Sequence, residues 1–435
     1  MKQFKWFFFL ALAATMSSCG LSSDQGELTG VGNRSAWFHP QPYGTVYIPS
    51  GTIHVGANEQ DIPNAMIAPN KQITITAFYM DETEITNNEY RQFVDEVLDS
   101  IMRDKLGADN DKFRTPLLDP FTEEETDQYA INYKVRLEQE DVKNGADAIR
   151  ELFYQGDEIY YRTIQVDVRK LKYKYHYVDL RAAAQLHKQD AYKRSRADFI
   201  KEQVVEVYPD TLVFMRDFTY AYNEPISTMY YWHPKYDDYP VVGVNWKQAR
   251  AFCNWRTTHL NSFYGMNGEN GVTSFRLPTE YEWEYAARGG RDQTMYPWGG
   301  PYVRNAKGCA LANFKPGRGD YGADGGVYPI RVASYFPNDY GLYDMSGNVA
   351  EWTITSFAES GHLFSHDLNS DYQYDAKDED SETLKRKVLR GGSWKDIAHY
   401  INNGSRTYEY QDSANSYTGF RSVMSYVGRS NRDKK

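Results

Sequence analysis

Arg390-Gly391-Gly392-Ser393-Trp394-Lys395-Asp396, with Gly419-Phe420-Arg421 downstream, is the stretch whose reading decides the fold. It is read with Phe275-Arg276-Leu277-Pro278-Thr279-Glu280 and Gly347-Asn348-Val349-Ala350-Glu351-Trp352. The paired glycines imply a structural turn, set in a region of Gly, Pro, Asn and Asp turns with brief strands.

Outward from this region, Thr279-Glu280-Tyr281-Glu282 is a capping box that opens a helix, and Gly289 stops it in left-handed conformation. Asn245 caps an earlier helix with Trp246, Ala249, Phe252, Cys253 and Leu260 inward. Cys253 there reads as a core residue. Tyr239-Pro240-Val241-Val242-Gly243-Val244 predicts a short buried strand. Thr86-Asn87-Asn88-Glu89 is another capping box, followed by Tyr90, Phe93, Val94, Val97, Leu98, Ile101 and Met102 on one helical face. Nearer the N-terminus, Val46 and Ile48, the turn Pro49-Ser50-Gly51, then Ile53 and Val55 read as a hairpin. Ile73, Ile75 and Ala77 alternate as in a half-buried strand. Residues 375–387 read as a charged loop. Nothing alternates in βαβ fashion, so the fold class is α+β.

Residues 105–234 differ from their surroundings, being rich in charge and Tyr with few apolar runs. Residues 179–205 read as one long exposed helix. The whole segment reads as an insertion, a partner-docking arm on an otherwise continuous domain.

The chain has 435 residues, 41% apolar and 25% charged, enough for a sizeable core. Its 37 Tyr suit either a loop-rich interior or a broad contact surface. A net charge of −10 argues against general nucleic-acid binding. Three Cys (Cys19, Cys253, Cys309) are too few for a disulfide framework.

Residues 1–18 read as a signal peptide. Lys2 and Lys5 precede an apolar run far shorter than a membrane span, and Met16-Ser17-Ser18-Cys19 resembles a lipoprotein processing site. Cys19 is then the lipidated residue, residues 19–42 a tether and lead-in, residues 43–430 the folded domain and residues 431–435 a frayed tail.

The ordered motifs resemble the formylglycine-generating enzyme family, the sulfatase-modifying factors. They are residues 275–290, Pro297-Trp298-Gly299, Pro337 to Asp344, Gly347 to Thr353, Arg390 to Ser393 and Gly419-Phe420-Arg421. The resemblance implies a fold related to C-type lectins, low in regular secondary structure. It implies structural Ca²⁺ at Asp344, Gly347, Val349 and Glu351, and a second site at Asn313, Phe314, Asp324 and Gly326, Ca²⁺ being a hard cation that takes oxygen ligands. The family's enzymes oxidise a substrate Cys through two copper-binding Cys. The matching positions here are Asp396 and Ile401, so no copper is expected and no residue is assigned as catalytic. A branch that uses an iron-binding His cluster is not matched by the nine His, which read as ordinary surface or core residues.

Further stretches resemble one subgroup, the PorK/GldK lipoproteins of the type IX secretion and gliding machinery. They include Tyr222 to Pro225, Tyr236 to Val244, Lys307-Gly308-Cys309, Asn313 to Pro316 and Arg406 to Asp412. This implies a non-catalytic lipoprotein anchored on the periplasmic face of the outer membrane. It would self-associate in a ring with PorN/GldN, beside the PorL–PorM/GldL–GldM motor. The competing readings are a copper-dependent Cys oxidase with displaced ligands and a periplasmic lectin-like binding module.

Overall fold

The computed structural model describes residues 39–56, 69–108, 111–119, 122, 124–186, 194–221 and 223–428. The signal peptide, Cys19, most of the tether, the tail and Tyr222 lie outside them. Residues Pro40–Val427 make one compact unit.

In chain order its main elements are β1 (Thr45–Ile48), β2 (Gly51–Val55), β3 (Lys71–Ile75), β4 (Phe78–Asp81) and the helix α1 (Asn87–Leu106). Then come β5 (Arg114–Leu118), β6 (Glu125–Ile131), β7 (Lys172–Val178), β8 (Ile200–Glu206) and α2 (Trp246–Met266). They are followed by β9 (Phe275–Arg276), α3 (Glu280–Ala287), β10 (Ala350–Ser356), β11 (Arg386–Arg390), β12 (Thr407–Tyr410), β13 (Thr418–Gly419) and β14 (Val423–Ser425).

One sheet has the order β1-β4-β14-β9 and is antiparallel throughout. The last strand therefore lies beside β4, which brings the two ends of the unit into one sheet. A second four-stranded sheet has the order β12-β11-β10-β13, parallel only at β10–β13, and β2-β3, β5-β6 and β7-β8 form two-stranded sheets. Between α3 and β10, residues 288–349 form no helix or strand, only an isolated bridge from Arg304 to Ala310. The architecture is the α+β fold that the motifs implied.

The three caps are where the sequence places them. Thr86, Asn245 and Thr279 each accept from the backbone N–H three residues on, and Glu89, Gln248 and Glu282 reach back. Gly289, at φ +61°, follows α3. α1 and α2 bury Tyr90 stacked on Phe252 at 5.7 Å, with Phe420 edge-on to both rings. Val241, Trp246 and Cys253 join the same core.

Five sequence expectations change. The hairpin across Pro49-Ser50-Gly51 does not form: β1 pairs with β4, and β2 with β3. The hydroxyl of Tyr285 on α3 donates to the Pro49 carbonyl at 2.8 Å, just where that turn would close. Ile53, Val55, Ile73 and Ile75 instead pack with Tyr281, Tyr285 and Ala286 of α3. Residues 239–244 do not form a strand, although 240–244 are buried. Val241 N–H donates to Ile85 and Gly243 N–H to Asn415, so their bonds go to separate segments and no ladder forms.

Residues 179–205 are not one helix. Leu180–Gln185 is a short α-helix, Arg196–Phe199 a 3-10 turn, and Ile200–Glu206 forms β8, paired with β7 (residues 187–193 lie outside the described set). Nor is the insertion merely an arm. Leu171, Tyr175, Val205, Val207 and Tyr231 enter the main core, and the Tyr90 hydroxyl donates to the Val207 carbonyl at 2.9 Å. Leu106, Phe113, Ile149 and Leu152 form a satellite core. Finally, the loop at 375–387 ends early: Arg386 and Lys387 belong to β11, and Lys387 is fully buried.

Candidate functional site at the Arg390 turn

Every residue of α3 is buried, including three glutamates. A buried carboxylate is costly unless paired and hydrogen-bonded, and each of these has an arginine. Arg276 grips Glu282 through two bonds of 2.6 Å. Arg288 holds Glu284 at 2.6 and 3.1 Å, and the Gly56 N–H donates to the same carboxylate. Arg406 donates to Glu280 at 2.6 Å. Arg390, the first residue of the deciding stretch, lies 3.1 Å from Glu284 and 3.8 Å from Glu280. Burial raises the Glu280 pKa, but Arg406, His362 and Arg390 outweigh it and hold it below the usual range. The stretch thus begins by closing a buried charge lattice beneath α3.

It continues as a turn clamped on both sides. A Cβ on Gly392, at φ +64°, would sit 2.6 Å from the Tyr400 carbonyl oxygen, so only Gly fits there. Ser393 donates to the Asp396 carboxylate through its N–H at 2.9 Å and its hydroxyl at 2.6 Å. Trp394 donates its backbone N–H to the Asn348 carbonyl and its indole N–H to the Ser416 carbonyl. Ile401 is fully buried against Tyr296, Ala312 and Phe314. Asp396 therefore caps a turn and Ile401 fills a core. A carboxylate and an alkyl chain do not fit Cu(I), which selects soft sulfur donors.

The remaining thiols do not replace them. Cys253 lies in the α2 core, where burial pushes its pKa up to about 12, and Cys309 sits exposed in a separate turn. Both are free. His362 is buried 3.6 Å from Glu280, with burial holding its pKa below the ordinary value, while His259 pairs with Glu96 on the surface. Among the described residues no three His, Cys, Asp or Glu side chains converge as a metal site.

The positions implied for Ca²⁺ divide into two kinds. Glu351 is saturated. Arg421 donates to it at 2.7, 2.7 and 2.9 Å and Trp283 at 2.7 Å, which uses the lone pairs a carboxylate offers. Asp324 accepts from the Phe314 and Gly326 N–H groups. Glu351 does not fit a cation as it stands, whereas Asp324 keeps acceptor capacity beyond these two N–H groups. Asp344 accepts from Ala333 N–H with one oxygen, while its other oxygen is buried without a partner. The Asn313 side-chain oxygen is likewise buried and unpartnered. Gly347 and Val349 lie in the turn between, which leans on Asn313: Asn348 N–H donates to its carbonyl at 2.8 Å. Asp344 and Asn313 thus offer unpartnered hard oxygens, Asp324 keeps part of its capacity, and Glu351 is spent on protein donors.

Glu84 is a member of this cluster that no sequence pattern marks. It is fully buried and accepts from Asn348 Nδ2 at 2.6 Å and Val349 N–H at 3.0 Å. Burial, with Asp344 and Glu351 nearby, holds its pKa well above the carboxylate range. Arg421 is the one cation of the group, and it also donates to the Asp81 and Tyr343 carbonyls.

Residues 38–426 match the model of the sulfatase-modifying factor enzyme 1-like domain. The chain belongs to this family. An inactive C-alpha-formylglycine-generating enzyme 2 of Bos taurus is 38% identical over 193 residues, 42% of this chain and 50% of that protein. A formylglycine-generating enzyme of Thermomonospora curvata is 34% identical over 188 residues, 42% of this chain and 55% of that protein. The chain thus spans about half the length of these curated relatives. The solved structure of PvdO from Pseudomonas aeruginosa covers 88% of this chain and 94% of its own, at 14% identity and a TM-score of 0.44. Since sulfatase-modifying factor relatives include both active and inactive proteins, the residues at the Arg390 turn have to distinguish the two.

Proposed function

We propose that the protein is a non-catalytic member of the sulfatase-modifying factor family, used as a scaffold. The observation that carries this is the assignment of Asp396 and Ile401, the positions matching the copper ligands, to a turn cap and a core contact. The similarity to inactive formylglycine-generating enzyme paralogues agrees with it.

The finer reading is a lipoprotein anchored through Cys19 on the periplasmic face of the outer membrane. There it forms a ring with PorN/GldN beside the PorL–PorM/GldL–GldM motor of type IX secretion and gliding. Its support is the leader ending in Met16-Ser17-Ser18-Cys19 and the subgroup stretches such as Tyr236 to Val244. The test is light scattering on the purified protein, alone and mixed with PorN/GldN. Large closed assemblies are expected; monomers in both samples would contradict the reading.

The proposal includes structural Ca²⁺ at the two implied sites, the first at the free oxygen of Asp344 with the Gly347 and Val349 carbonyls, the second at the free oxygen of Asn313 with Asp324 and the Phe314 and Gly326 carbonyls. At a hundredfold excess over its Kd, a cation bound only by the folded state stabilises it by about 2.7 kcal/mol. Thermal unfolding in Ca²⁺ against a chelator checks this. A shift that Asp344→Asn lowers is expected, and identical curves would remove the cation.

A further inference from the structure

Residues 361–370 form a strap along the edge of β3 that β2 leaves open. The Thr74 N–H donates to the Asp367 carbonyl at 2.7 Å, and the Asn369 N–H donates to the Thr74 carbonyl at 3.0 Å. The Asn369 side chain takes the Thr76 N–H at 2.9 Å. Leu368 thus bridges Thr74 in parallel register, while β2 pairs antiparallel on the other edge. The strap buries little apolar surface of its own, since Leu363, Phe364 and Leu368 are 70%, 72% and 57% exposed. Its hold on the domain is polar, and a segment with few buried apolar contacts opens at lower cost than the core.

One buried side chain anchors it. His362, in the short helix Gly361–Phe364, is fully buried, and its Nδ1 lies 3.3 Å from the carbonyl of Pro69, just before β3. A carbonyl only accepts, so Nδ1 carries the proton and Nε2 of the neutral ring is left as an acceptor. Nε2 has no hydrogen-bond partner and faces the Glu280 carboxylate at 3.6 Å. The groups around the ring are Glu280, Tyr281 and Glu284 of α3, Arg390 of β11, and Arg406. Lys71 of β3 reaches the Ser365 carbonyl three residues on. Arg288 completes the buried set through Glu284, and Asp292 beyond it is half exposed and held by His54. Three fully buried arginines therefore stand against two fully buried glutamates, and a proton on His362 would add a second excess cation. Burial, with Arg406 and Arg390, accordingly outweighs Glu280 and Glu284 and holds the His362 pKa below its ordinary 6.5. The closed strap needs the neutral ring. Its stability is present at neutral pH and lost as the pH falls through 6.5, the value of the ring in the open, hydrated strap.

We propose that the strap is an acid-released latch: protonation of His362 lifts residues 361–370 from β3 and bares the strand edge. The bared Thr74 and Thr76 N–H groups are then an edge that another strand can pair. The latch does not depend on the scaffold reading. The assay is chymotrypsin cleavage after Phe364 in the purified protein, followed by mass spectrometry. Each rate is divided by that of a free peptide of residues 359–370, which removes the pH dependence of the protease and leaves the open population. From pH 7.5 to 5.5 this quotient should rise several-fold. Its ceiling is about tenfold, for a ring that titrates at 6.5 when open and stays neutral when closed. His362→Gln keeps a donor for Pro69 and cannot titrate, so its quotient should be flat. His366→Gln, at an exposed site on the same strap, should keep the rise. Unchanged circular dichroism and denaturation midpoints identify variants that fold. Should H362Q not fold, NMR of the wild-type imidazoles decides: His362 should titrate below 6.5, and a value at or above it overturns the proposal. A wild-type quotient constant across the range overturns it, as does a rise that survives H362Q or is lost in H366Q. A rise matched by cleavage at buried Phe252 would be global unfolding, and overturns a local latch.

Discussion

Lys387 on β11 offers a pH-dependent test of the packing. It is fully buried, its ammonium lies 3.9 Å over the Trp246 ring, and it donates to the Ser356 hydroxyl and the Tyr374 carbonyl. Burial pulls its pKa down to about 7, although Asp375 and Asp371 oppose the shift. In the unfolded chain the same group titrates near its ordinary value of 10.5. Between the two values the unfolded state binds the extra proton, so stability rises with pH across that window. Below pH 7 both states are protonated, and burying the charge costs roughly 5 kcal/mol, the free-energy equivalent of moving the pKa from 10.5 to about 7. Raising the pH from 7 to 9.5 recovers about 3 kcal/mol of this. Lys387→Met keeps an unbranched chain under Trp246 and removes the titration. Guanidinium denaturation of both proteins at pH 7 and 9.5 should show their stability difference moving by about 3 kcal/mol in favour of wild type at the higher pH. Background titrations are common to both proteins and cancel in the difference. A difference constant to within about 0.5 kcal/mol would show that Lys387 is not desolvated as described.

Three further outcomes concern the buried lattice, the turn and the thiols. Arg421→Met leaves Glu351 and Glu84 buried without their cation, and should cost about 3–5 kcal/mol in a denaturation experiment. Gly392→Ala drives a Cβ into the Tyr400 carbonyl in left-handed backbone and should cost about 3 kcal/mol or more, whereas an Ala at exposed Gly268 should cost clearly less. In a thiol titration at pH 8, Cys309 should react in the native protein and Cys253 only after denaturant is added, because one is exposed and the other is buried with its pKa pushed to about 12.

How far the fold is legible in the chain depends on whether the cause is local. The capping boxes at Thr86, Asn245 and Thr279 are closed within four residues, and all three helices begin where those residues place them. The paired glycines of the Arg390 turn are equally visible in the chain, as are Asp396 and Ile401, which the family resemblance sets at the positions of the copper ligands. What failed was non-local. β1 has an apolar pattern that suits either neighbour, and the Tyr285 hydroxyl on Pro49 selects β4 from 236 residues away in sequence. The charged texture of 179–205 hid β8, yet its partner strand carried a readable signal: Tyr173, Tyr175 and Tyr177 alternate with Lys172, Lys174, His176 and Val178, a period of two that marks one buried face. Asp344 and Glu351 were legible as acids in the right motif. That Arg421 would saturate Glu351, and that Glu84 would join them, depends on contacts spanning 70 residues and more.

The central claim is that the Arg390 turn supports a scaffold and not an oxidase. It is tested most directly by incubating the purified protein with Cu(I), oxygen and a Cys-containing peptide, and following the peptide by mass spectrometry and the metal by equilibrium binding. The account predicts no stoichiometric copper and no conversion of the Cys to an aldehyde. Oxygen-dependent aldehyde formation with one copper bound per chain would contradict it.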